Sequence, residues 1–138
     1  MEEIRILIVD DSRLIGERLR RLFEGIAQVA SVDYECDLEV ARIRIQTLRP
    51  AILVLDHHFP SGYGEDLLKS EGEQLKETHV IVYSAFGSML NHAHYRGLGA
   101  HWIFDKSESP EALVTLVESI IRIRSKKVNH TNENGLVS

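Results

Sequence analysis

An α/β domain built on a doubly wound parallel sheet is the fold this sequence predicts, on two observations. Short apolar runs alternate five times with segments of helical periodicity, the pattern of parallel strands joined by crossover helices. The middle run, Ala51-Ile52-Leu53-Val54-Leu55, is apolar throughout and ends in Asp56. A run without polar alternation reads as a strand covered on both faces, as parallel strands are. Asp56 then lies at the carboxyl edge of the sheet, where open α/β sheets bind ligands.

Each element has its own signal. Ile4 to Val9 is a β-branched strand closed by Asp10 and Asp11. Ser12 can cap the helix that follows, where Leu14, Ile15, Leu19, Leu22, Phe23 and Ile26 recur at helical spacing and Gly25 lies near the end. Gln28 to Tyr34 is a weaker second strand. Asp37 caps the next helix, with Leu38, Ala41, Ile45 and Leu48 as its apolar stripe, and Pro50 stops it. After the central strand, Pro60, Gly62 and Gly64 mark a loop, and a short helix follows around Asp66 to Glu71. Thr78 to Tyr83 is a fourth strand, ending at Ser84-Ala85. A modest helix around Met89 to Arg96 precedes the helix-ending Gly97 and Gly99. His101 to Phe104 is the fifth strand, ending at Asp105-Lys106. Ser109 and Pro110 open the last helix, whose Leu113, Leu116, Val117, Ile120 and Ile121 face the core.

From Ser125 the chain turns polar and loses periodicity. The expected organisation is one domain over residues 1–124 and a polar tail or linker stub over 125–138. Right-handed crossovers leave few topologies. With five strands, the flavodoxin-like order 2-1-3-4-5 leads, and it sets the first and third strands side by side in the centre.

Composition narrows the function. The chain has 138 residues, 43% hydrophobic and 27% charged, which suits one soluble globular domain. Its net charge of -5 argues against direct nucleic-acid contact. A single cysteine, Cys36, excludes an internal disulfide and a multi-cysteine metal site, and suits a reducing compartment. No apolar run approaches the ~18 residues of a membrane span, and the N-terminus is unlike a signal peptide. A cytoplasmic location and no membrane contact are the expectation.

In the 2-1-3-4-5 order the strand ends converge. Asp10, Asp11 and Asp56 would share one crevice with Ser84 and Lys106. Two carboxylates 4 Å apart repel by roughly 4 kcal/mol at an effective dielectric near 20, so three need a compensating cation. Mg²⁺ fits, because it takes one or two carboxylates, keeps water and accepts phosphate oxygens. Ser84 and Lys106 suit an incoming anion. The set reads as a phosphoryl-transfer site in which one carboxylate is the nucleophile.

With these residues in view, the chain resembles a receiver domain of the bacterial two-component response regulators. The resemblance rests on Ile8-Val9-Asp10-Asp11-Ser12, Leu53-Val54-Leu55-Asp56 with Phe59-Pro60 and Gly62-Tyr63-Gly64, Ser84-Ala85, Gly99-Ala100, and Asp105-Lys106-Ser107. It covers roughly residues 4 to 124. It implies that Asp56 is the phosphoacceptor, taking phosphate from a histidine kinase, a histidine phosphotransfer protein or a small acyl phosphate. It implies that Asp11 and Asp56 coordinate Mg²⁺, with Asp10 acting mainly through a bound water and the His58 backbone carbonyl completing the ligands. Ser84 and Lys106 would each bind a phosphoryl oxygen. Output would be a switched protein–protein surface on a downstream target, a missing output domain, or onward relay of the phosphate. A homodimer through the fourth-helix face is consistent with the resemblance.

Three departures stand out. The switch position, usually Tyr or Phe, is Ile103, flanked by Trp102 and Phe104; the ring-swing coupling is absent, or a neighbouring aromatic replaces it. Ser107 follows Lys106 where a proline in a cis peptide is usual. A cis non-proline bond would cost roughly 3 kcal/mol, so the loop is expected to differ locally. The positions that tune dephosphorylation are His58 and Phe86, and bulky Phe86 is expected to obstruct the attacking water and slow that step.

Plainer roles are expected elsewhere. His57 and His58 point opposite ways on an extended chain and should not share a metal. His92 and His94 lie about 200° apart on a helix and read as surface residues. Trp102 reads as core and Cys36 as an inert helix-start residue. Arg122, Arg124, Lys126 and Lys127 read as the solvated end of the last helix. Two other functions compete. A haloacid dehalogenase-type phosphatase also uses an Asp nucleophile, Mg²⁺ and Lys, but its motif is Asp-x-Asp with a late acidic pair, and here the pair comes first. A multiple-turnover enzyme is therefore not expected. A pseudo-receiver adaptor that takes no phosphate is the other alternative.

Overall fold

The computed structural model describes residues 2–134, with side chains described through Lys126. The five-stranded parallel sheet has β2 (Val29–Glu35), β1 (Ile4–Val9), β3 (Ile52–Leu55), β6 (His79–Ser84) and β7 (Ala100–Asp105) side by side in that order. In terms of the five sheet strands this is the expected 2-1-3-4-5 order. The connecting helices are α1 (Arg13–Glu24), α2 (Leu38–Leu48), α3 (Gly64–Ser70), α4 (His92–Gly97) and α5 (Pro110–Asn134).

Alternation of side chains along each strand divides the core into two layers. Ile4, Ile6, Ile8, Ile52, Val54, Ile81 and Tyr83 face α1 and α5, where Leu19, Phe23, Leu113, Val117 and Ile120 meet them. Leu7, Val9, Leu53, Leu55, Val80 and Val82 face α2, α3 and α4, where Ala41, Ile45, Leu67, Leu68 and Tyr95 meet them. Two covered faces are the physical reason that β3 carries no polar residue.

Helix starts follow the capping chemistry. The Ser12 side chain accepts the Ile15 N–H at 3.3 Å, and Asp37 accepts that of Val40 at 3.0 Å. Ser109 Oγ accepts the Glu111 N–H at 3.2 Å. Gly99 has φ of 100°, the left-handed conformation that suits glycine after a helix.

Several expectations change. Leu14 is 80% exposed, because Ile15, Leu19 and Phe23 set the inward face of α1 and Leu14 is turned ~100° from it. Before α3 the chain forms a small antiparallel hairpin, β4 (His58–Phe59) with β5 (Gly62–Tyr63). α3 starts two residues early, where the Asp66 carboxylate accepts the Tyr63 N–H at 2.9 Å. The expected helix from Met89 is a 3₁₀ turn over Gly87–Met89, and α4 restarts only after Asn91 caps it by accepting the His94 N–H at 3.0 Å. α5 continues to Asn134, through residues expected to be an irregular tail. Lys127 and the remaining tail side chains lie outside the described ones. No peptide among the described residues is cis, the one after Lys106 included.

Arg124 is not solvated. Its guanidinium donates to both Glu2 carboxylate oxygens and to the carbonyls of Ala51 (3.3 Å) and Glu77 (2.8 Å), and it contacts His79 Nδ1 at 2.9 Å. It thereby ties α5 to the N-terminal segment and to the amino ends of β3 and β6. Arg124→Met, which keeps the apolar stem, should cost about 1–2 kcal/mol and lower the melting temperature by about 5 °C. Arg122→Met, on the exposed face, should stay within about 0.5 kcal/mol. Thermal unfolding of both variants checks the contrast.

Candidate functional site

Backbone hydrogen bonds carry the sheet ladder one residue past the strand ends. Asp10 donates its N–H to Glu35 O at 3.1 Å, Asp56 to Val9 O at 2.9 Å, and Lys106 to Ser84 O at 2.8 Å. The ladder thus sets Asp10 beside Asp56, and Lys106 beside Ser84, at the carboxyl edge. The side chains of Asp10, Asp56 and Lys106 meet there. Lys106 Nζ lies 2.8 Å from Asp10 Oδ2 and 2.9 Å from Asp56 Oδ2. It also sits 5.8 Å from the centre of the Tyr83 ring, whose face favours a cation.

Each carboxylate has a further anchor. Asp10, 2% exposed, accepts the Ser12 N–H at 2.8 Å through Oδ1. Asp56 Oδ1 accepts the His57 N–H at 2.7 Å. Burial, reinforced by the Asp56 charge, pushes Asp10 up to about 6 even though the Lys106 hydrogen bond and the Ser12 N–H pull the other way. Burial opposes the Lys106 charge, but the hydrogen bonds and charges of Asp10 and Asp56 outweigh it and hold its pKa above the ordinary value. One ammonium therefore stands between two carboxylates, and the cluster is short of positive charge.

Asp11 stands exposed at the mouth. Ser84 is buried at the end of β6, where its Oγ accepts the Phe86 N–H at 3.2 Å. Phe86 itself is 61% exposed. His58 is exposed, and its ring and that of His57 lie 5.7 and 5.2 Å from the Tyr63 ring. Ile103 packs into the core layer shared with Tyr95, whereas Trp102 packs into the opposite layer, its ring near those of His79 and His101. The two switch candidates thus lie on opposite faces of the sheet.

Gly64 shapes the loop after Asp56. Its N–H donates to His57 O at 2.7 Å, and a Cβ there would come within 2.1 Å of the Asp56 carbonyl oxygen. Two tyrosines complete the surroundings without a motif of their own. Tyr34 donates its hydroxyl to Asp10 O at 2.8 Å. Tyr95, buried on α4, is hydrogen-bonded through its hydroxyl to His57 Nδ1. Among the described residues no three metal-ligating side chains are gathered, and no helix is long and apolar enough to cross a membrane.

Fold and site together define an open doubly wound sheet with an acidic carboxyl edge closed by one lysine. The response regulator receiver domain model matches residues 6–118, and the chain belongs to that family. It is similar to the transcriptional regulatory protein CpxR of Escherichia coli K12, at 32% identity over 95% of this chain and 55% of that protein. It is also similar to a protein-glutamate methylesterase/protein-glutamine glutaminase of Bdellovibrio bacteriovorus, at 27% identity over 93% of this chain and 38% of that protein. The chain spans about a third to just over half the length of these relatives. In fold it resembles the CheY-like receiver domain protein from Methanospirillum hungatei, with TM-score 0.80, 21% identity and coverage of 91% and 99% of the two chains. A CheX–CheY–BeF3–Mg complex from Borrelia burgdorferi gives TM-score 0.76, 26% identity and coverage of 86% and 89%.

In metal-free protein, Asp10 titrates near 6 when folded and near 4 when unfolded. The folded state holds the extra proton between those values, so ionising Asp10 above pH 6 costs stability that is not lost below pH 4. Asp10→Asn should therefore raise the melting temperature at pH 8 by about 4 °C, with the gain shrinking as pH falls to 5. Thermal unfolding in a chelator at both pH values measures it, and an equal gain at both would mean the charge is not the cause.

Proposed function

We propose that residues 1–124 act as a phosphoacceptor module and that Asp56 takes the phosphoryl group. The observation that carries this reading is the Lys106 ammonium held between Asp10 and Asp56. It leaves Asp56 in a cluster short of positive charge, beside a lysine able to pair with an incoming phosphoryl oxygen. In the transfer, an Asp56 carboxylate oxygen forms the new P–O bond as the P–N bond to a donor histidine breaks. The leaving imidazole recovers a proton. Lys106 holds charge on the phosphoryl oxygens, and Ser84, buried one register position away, supplies a hydroxyl to another.

The donor set fits a hard divalent cation. Asp10 lies buried beside Asp56 with a single ammonium for both, and all available donors are oxygens. Asp10, Asp11, Asp56 and the His58 carbonyl would hold Mg²⁺, which accepts as few as one or two carboxylates. When bound, it supplies the positive charge that phosphoryl transfer needs. The presence of BeF3 and Mg in the complex of the Borrelia protein supports this reading. The partners are then a histidine kinase or histidine phosphotransfer protein upstream and a protein target or attached domain downstream. The module works as a switch rather than as a multiple-turnover enzyme.

Incubation with phosphoramidate and Mg²⁺, followed by intact mass, tests this. One phosphoryl group should be gained, and it should be absent in Asp56→Asn and without Mg²⁺. Folded protein that gains nothing would favour an adaptor that takes no phosphate. The same sample tests Phe86: Phe86→Ala should shorten the lifetime of the phosphorylated species several-fold, and an unchanged lifetime would remove Phe86 from that step.

A further inference from the structure

The residue after Asp56 is fastened at three points. Its backbone N–H is held by Asp56 Oδ1 at 2.7 Å, its carbonyl accepts the Gly64 N–H at 2.7 Å, and its ring is hydrogen-bonded to the Tyr95 hydroxyl. Tyr95 is 2% exposed, lies on α4, and meets the His57 ring edge-on with centroids 5.7 Å apart. α4 is a helix of six residues whose buried side chain is Tyr95. Its Nε2 contact from His94 to Glu65 reaches α3, and the His92 ring reaches only the Gly87 carbonyl of its own loop. Among the described residues, Tyr95 makes the side-chain hydrogen bond that joins α4 to the Asp56 loop. Ile103 shares the core layer of Tyr95, but has no polar atom that could register a change of charge at the site.

We infer that Tyr95, through His57, couples the state of Asp56 to α4. The inference rests on Asp56 being the phosphoacceptor. Forming the P–O bond turns a carboxylate into an acyl phosphate. Its oxygens are then weaker acceptors for the His57 N–H than those of a carboxylate. The His57 backbone is released from its strongest partner while its ring stays bonded to Tyr95. The displacement passes through that ring to α4, whose buried side chain is Tyr95 itself. Tyr95 is a positioning residue here: it touches neither the phosphoryl group nor Asp56.

The test is hydrogen exchange of the α4 amides, read by mass spectrometry before and after phosphoramidate and Mg²⁺, with intact mass taken on the same samples. Wild-type protein should gain one phosphoryl group, and its α4 amides should change exchange rate by about fivefold, the weight of one net hydrogen bond. Tyr95→Phe keeps the buried ring and removes only the hydroxyl. It should gain the phosphoryl group and lose the α4 response. His57→Phe, which breaks the bond from the other end, should lose the response in whatever fraction is phosphorylated, and answers the question if Tyr95→Phe does not fold. Ile103→Ala should keep it. A full α4 response in phosphorylated Tyr95→Phe or His57→Phe, or a response lost only in Ile103→Ala, would overturn the coupling. Wild-type protein that gains no phosphoryl mass would instead defeat the reading of Asp56 and take the coupling with it.

Discussion

The Lys106 ammonium, shared by Asp10 and Asp56, is the interaction on which the carboxyl edge depends. Without it, two neighbouring carboxylates would repel by several kcal/mol at the effective dielectric of such a site. With it, the strand ends are pinned in register, but the balance is incomplete, since two anions share one cation. Burial, with the Asp56 charge adding to it, leaves Asp10 with a raised pKa. The surrounding structure accommodates it. Ser12 and Tyr34 fix the Asp10 backbone and side chain, and the absence of a side chain at Gly64 lets the next loop close over the Asp56 carbonyl.

Much of this was legible in the sequence, for a physical reason. Parallel strands covered on both faces must be apolar through their length, so their ends are marked by the first polar residue. Asp10, Asp56 and Ser84 occupy such ends, Lys106 directly follows the edge strand, and the ladder that continues past the strands makes their order at the edge follow from strand order. The hairpin at His58–Phe59 and Gly62–Tyr63 was not legible, because strands of two residues carry no periodicity. α4 was misplaced because Met89 and Leu90 look helical, although Leu90 is extended and only Asn91 can begin a capped helix.

The side chains that sequence reading missed share one trait: their partners are distant in the chain. Tyr95 reads as an ordinary core aromatic until the His57 ring is placed against it. Tyr34 lies near the end of β2 and gives no sign of the Asp10 carbonyl it will reach. Arg124 lies in a basic stretch at the far end of a helix, which normally means solvent. Its five acceptors come from segments remote from it in the chain, so no local pattern could announce them.

The Arg124 clamp also gives the domain two unlike poles. Glu2, α5 and the amino ends of β3 and β6 are knotted together at one end of the sheet, while the charged cluster occupies the other. A strand of six residues separates them, about 20 Å at the usual rise. Side-chain rearrangement at the charged pole breaks none of the hydrogen bonds that hold the knotted one. A dye or affinity handle joined ahead of Glu2 would therefore sit on the clamped end, a reference against which any displacement of α4 can be measured as a distance.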